Sequence, residues 1–145
     1  MKHIVLCAAM LGAMANASAA LPLYQMPDQP ATGLWVPTIV SMPQGDTRDS
    51  TFAVNVLNVD AEFAGHLAVS VTPNSSRPDA GSLSLDGDTC SGATLAQHGE
   101  CRLHFNVRAA CAKSGMTTWF VTVHTASGTD VTTQVQVANK SGKCE

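Results

Sequence analysis

The chain has 145 residues, 45% of them hydrophobic and only 13% charged, with a formal net charge of −3. That balance speaks against nucleic acid, which needs a basic face, and against an electrostatic anchor to anionic lipid. The length suits one domain with one core.

The chain opens MKHIVLCAAMLGAMANASA. Lys2 supplies a positive start, Ile4 to Met14 a short apolar run, and Ala17-Ser18-Ala19 a small-x-small cleavage pattern. This is the anatomy of a secretory signal peptide over residues 1–19, cut after Ala19. The apolar run falls short of the roughly 20 residues of a spanning helix. Cys7 lies inside that run, whereas a lipidated cysteine would follow it. Cleavage leaves 126 residues, with no later segment apolar enough to cross a membrane, and a net charge of −4. The expected location is the periplasm or the extracellular space. Residues 20–33, ALPLYQMPDQPATG, carry three prolines and read as an extended N-terminal arm. Such an arm is either a loosely tied terminus or a strand offered to a neighbour's sheet edge.

The sandwich domain is expected over residues 34–145, and from Thr51 onward its dominant period is two. Phe52, Val54 and Val56 form one apolar row, Leu67, Val69 and Val71 a second, and Leu103, Phe105 and Val107 a third. Trp119, Val121 and Val123 face Val131, Val135 and Val137 across the last turn. Alternation of this kind marks strands with one face in a core and one in water. Adding Leu34–Val40 and Ser82–Leu85 gives seven predicted strands and no helix, which suggests a two-sheet antiparallel sandwich. The two final apolar rows coincide only if paired numbers sum to an even value, such as 123 with 131. That register requires a loop Ala126-Ser127-Gly128 with Gly128 in the left-handed conformation.

Four cysteines remain after cleavage: Cys90, Cys101, Cys111 and Cys144. An even count in an oxidising compartment predicts two disulfides, and spacings of 11, 10 and 33 do not fit the close pairs of structural zinc sites. Extending the hairpin register brings Cys111 almost opposite Cys144, which leaves Cys90 to close a short loop with Cys101.

That loop and its surroundings, LDGDTCSGATLAQHGECRLHFNV, resemble bacterial exported immunoglobulin-like modules of the abnormal-spindle/Hydin type. In these a cysteine, an SGATLA-like turn, a glycine and a second cysteine precede an alternating strand. TFAVNVLNVDAEFAGHLAVSVT is similar to their earlier hairpin, so the resemblance spans Ser50 to Asn139. It implies a seven-stranded immunoglobulin-like sandwich that acts as a spacer, adhesion or interaction module.

Chemistry-bearing residues are sparse. No nucleophile elbow, His-Glu-x-x-His or glycine-rich phosphate loop occurs, and His98 and Glu100 flank a cysteine already assigned to a disulfide. The expectation is a protein that is not an enzyme, with no catalytic residues and no cofactor. Its partner is a protein or surface assembly. A carbohydrate or small ligand is a second possibility, with Trp35 or Tyr24 as the contact residues. A third is periplasmic copper or zinc, held by His66, His98, His104 or His124 with Met26 and Met42. Strand parity turns His66, His104 and His124 to solvent, and pairing of the strands that carry His104 and His124 would still leave these two about 10 Å apart.

Overall fold

A computed structural model describes residues 21–25, 33–37, 39–42, 49–60, 64–74, 81–111 and 115–140. The proposed signal peptide lies outside them. Among the described residues there are nine strands and no helix. They are β1 (Leu23–Gln25), β2 (Leu34–Trp35), β3 (Ile39–Met42), β4 (Asp49–Asn58), β5 (Ala68–Pro73), β6 (Ser82–Leu85), β7 (Glu100–Arg108), β8 (Met116–His124) and β9 (Val131–Ala138). One sheet runs β1-β3-β9-β8-β5 and the other β2-β4-β7-β6.

The apolar rows read from the sequence meet between these sheets. Val54, Val56, Leu103, Phe105, Val121, Val123 and Val135 are at most 1% exposed, so the period-two pattern does face a single core. Phe52 and Phe105 lie directly opposite in the β4–β7 register and stack with ring centroids 5.0 Å apart. Each buried aliphatic contributes roughly 1.5–3 kcal/mol relative to exposure. Stability therefore resides mainly in this interlayer. Val123 pairs with Val131 as the parity requires, and Gly128 takes a φ of 81° in the loop.

Three expectations are corrected. The strand expected over Leu34–Val40 is broken: β2 pairs with β4 in one sheet and β3 with β9 in the other. Pro37 stands at the break, and a residue without an N–H and with fixed φ cannot continue a ladder. The arm is not entirely without structure, since Leu23–Gln25 pairs with β3 of its own sandwich. With the split strand, this raises the count from seven to nine. The sheets are not wholly antiparallel either, because β3 and β9 run parallel.

One disulfide, Cys90–Cys101, is described where two were expected. Cys111 is engaged rather than free. Cys144, its expected partner, lies outside the described residues, so that pairing stays an expectation.

Candidate functional site

The Cys90–Cys101 loop is held from several directions. The Asp88 carboxylate accepts hydrogen bonds from the backbone N–H of Cys90 and of Ser91, both at 2.6 Å, and from the Ser91 hydroxyl at 2.7 Å. Partial burial of Asp88 opposes its charge, but the bonds from Ser91 and Cys90 outweigh it and hold the carboxyl below its ordinary range. Asn58, fully buried, donates from Nδ2 to the carbonyls of Leu95 and Ala96. Its Oδ1 accepts the Asp60 N–H. Leu95 packs into the core. His98 sits on the exposed turn with φ 58°, and both loop cysteines are consumed in the disulfide, so the loop offers no thiolate.

What the loop does is block part of a sheet edge. In an antiparallel pair every second residue turns its N–H and C=O away from its partner. The Asn74 N–H donates to Thr118 O, so even-numbered residues of β5 face β8 and odd-numbered ones face outward. Leu67, next in that outward series, exchanges hydrogen bonds with Ala93 and Gly92 of the loop. Beyond the loop, the N–H and C=O groups of Val69 and Val71 have no partner among the described residues. Pro73 ends the series without an N–H.

The neighbouring edge of the other sheet is open as well. Asp86 N–H donates to His104 O, which fixes Ser82 and Ser84 as the β6 residues that face β7. Leu83 and Leu85 therefore turn their backbone groups outward, again with no partner among the described residues. The side chains of Val69, Val71, Leu83 and Leu85 are half-buried against the core. The result is a flank with two open edges and an apolar floor. Gly81, which enters β6 with φ 82°, runs so close to Arg108 O that any side chain there would collide.

The opposite flank is covered in part, by β1 and β2. There the odd-numbered residues of β4 face outward, and the Tyr24 hydroxyl of β1 reaches across to donate to Ala53 O at 2.7 Å. Burial pushes the Tyr24 hydroxyl up in pKa, with Arg102 acting in the opposite sense. Trp35 meets the same strand at Leu57, four residues further on and so roughly 13 Å away. Its indole N–H is enclosed with no hydrogen-bond partner among the described residues. Tyr24 and Trp35 thus contact β4 at separate places.

A shallow polar groove of about 510 Å³ lies on the outer face of β4, β7 and β6, between Asp49, Thr51, Ser82, Ser84, Asn106 and Arg108. Neither Trp35 nor Tyr24 lines it. The exposed Asp49–Arg108 ion pair at its end, 3.7 Å apart, is of a kind that contributes little. The histidines are dispersed. His104 stands on the outer face of one sheet and His124 on that of the other, so β7 and β8 are not paired as supposed. Met42 is buried in the core, and Met26 lies outside the described residues. Among the described residues no group of three or more His, Cys, Asp or Glu could hold a metal ion. Nor is any helix there long and apolar enough to cross a membrane.

No protein-family model and no curated protein matches the chain. Solved structures do. The secreted serine protease VesC from Vibrio cholerae aligns with a TM-score of 0.60 at 12% identity, covering 76% of this chain and 23% of that one. The VesB protease of Vibrio cholerae aligns at 0.52 and 20% identity, covering 72% and 31%. The periplasmic chaperone SfaE aligns at 0.50 and 11%, covering 77% and 59%. The fold is an immunoglobulin-like sandwich. The chain spans a quarter to a third of the two proteases and somewhat over half of the chaperone. The expectation that this protein is not an enzyme is overturned by these matches, since two of the structures that share its fold are proteases. Identities this low carry over the fold alone, and no protease residue is transferred.

The open flank is not legible in the sequence, although alternation marks Val69 and Val71 as an inward row. Alternation reveals which face of a strand is buried but not whether its edge has a neighbour. The one local sign was SLSL in β6, a strand with no charge and no proline to guard it.

Proposed function

We propose that the protein is an exported interaction module of the abnormal-spindle/Hydin type, working in the periplasm or at the cell surface. It binds an extended segment of a partner protein by adding it as a strand to the open edge of β6. The observation that carries this reading is the outward backbone of Leu83 and Leu85, without a partner among the described residues, beside four half-buried apolar side chains. A strand laid there would satisfy the exposed N–H and C=O groups and place every second side chain against the apolar floor. Export is supported by the disulfide and by the signal-like residues 1–19. Pairing of Cys111 with Cys144 belongs to the same reading.

The test is selection of random displayed peptides on the intact protein. Enriched sequences should alternate apolar and polar residues, and they should compete with one another for one site. Selection that yields no alternating sequences would remove strand addition as the binding mode.

A further inference from the structure

Three side chains that alternation turns to solvent come together on the outer face of the β5–β8–β9 sheet. Ser70 on β5 lies diagonally across from His124 on β8, and its Oγ stands 2.9 Å from His124 Nε2. His124 Nδ1 stands 2.8 Å from Oδ2 of Asp130, just before β9. The ionised carboxylate can only accept, so Nδ1 must carry a proton. In neutral imidazole this leaves Nε2 bare, free to accept the Ser70 Oγ–H. Each group is thus fixed by its neighbour in the order nucleophile, base, orienting acid. Thr122, directly opposite Ser70 in the register, adds a further hydroxyl to the same face, bonded at 2.9 Å to that of Thr132. His124 and Asp130 are 42% and 44% exposed, which gives a ligand direct access from solvent.

We propose that Ser70, His124 and Asp130 form a nucleophilic site that hydrolyses small carboxylic esters. Ser70 Oγ bonds to the acyl carbon while its proton passes to His124 Nε2. Collapse breaks the bond from that carbon to the alcohol oxygen, and the alcohol leaves with the proton. Water then attacks the acyl-serine, its proton passing to the same nitrogen and on to Ser70 as the acid departs. Asp130 is a positioning residue that keeps His124 in the tautomer the first step requires. The open face has no walls to select a large substrate, so small activated esters are the class that fits.

The experiment uses p-nitrophenyl acetate for turnover and a fluorophosphonate probe with peptide mapping for the labelled residue. A single adduct at Ser70 is expected, with hydrolysis falling roughly tenfold or more in Ser70→Ala and in His124→Gln. Both variants should keep the wild-type circular dichroism, because these side chains face solvent. Asp130→Asn should slow acylation without lowering the melting temperature, and Asp130→Glu should restore much of the rate. An adduct elsewhere, or turnover unchanged in Ser70→Ala, overturns the proposal. So does an Asp130→Asn variant that reacts as fast as wild type.

Discussion

The two flanks of the sandwich meet the same physical problem in different ways. Each leaves outward N–H and C=O groups on strands at a sheet edge, which invite pairing with another chain. On one flank the arm folds back as β1, and the Tyr24 hydroxyl takes up the Ala53 carbonyl. On the other the Cys90–Cys101 loop covers Leu67 and stops, leaving Val69, Val71, Leu83 and Leu85 with no outward backbone partner among the described residues. The difference indicates that the disulfide loop acts as a boundary for the open flank. It closes the upper end of β5 while a proline closes the lower.

Removing that boundary should have the largest effect. Cys90→Ser combined with Cys101→Ser should cost about 3 kcal/mol in urea unfolding, the value expected for a short closed loop. The Leu67 amide should also lose its protection in hydrogen exchange, whereas the β8–β9 amides keep theirs. Loss of stability with Leu67 still protected would show that the loop does not depend on its staple to cover β5.

The flank that carries β1 should respond more mildly. Tyr24→Phe removes one hydrogen bond and should cost about 1 kcal/mol. The Tyr24 pKa is raised in the folded state, so the contact persists through neutral pH and is lost as pH rises through that raised value. If wild type and Tyr24→Phe unfold at the same temperature at pH 7, β1 is not anchored by this contact.

The effect read most directly against acid pH should come from Asp88. Its carboxyl is held below its ordinary range, so its contribution is present above about pH 3.9 and fades as pH falls through the lower folded value. The melting-temperature gap between wild type and Asp88→Ala should therefore be constant near neutrality and close in acid. A gap that widens in acid would mean that the hydrogen bonds from Cys90 and Ser91 are not favouring the charged form.

Sequence reading went furthest where the signal is local. Phe52, Val54 and Val56, and Leu103, Phe105 and Val107, declare their inward face by alternation, and all six are buried. Parity fixes the final register and turns His124 to solvent, without revealing that Ser70 of another strand touches it. What escaped depends on partners distant in the chain. Nothing near Ile39 announces a parallel neighbour at Gln134, and Pro37 inside Leu34–Val40 marks a break without saying that the chain changes sheet there. The open edge of β6 escaped for the same reason, because it is defined by a strand that the described structure does not place there.

The open edge is also the claim most directly measured. Leu83→Ala and Leu83→Pro both remove the leucine side chain, but only proline removes the outward N–H. That N–H is not part of the β6–β7 ladder, so both variants should fold. Binding of a selected alternating peptide, followed by calorimetry, should be weakened by Leu83→Ala and abolished by Leu83→Pro. Equal binding by the two variants would contradict strand addition at β6.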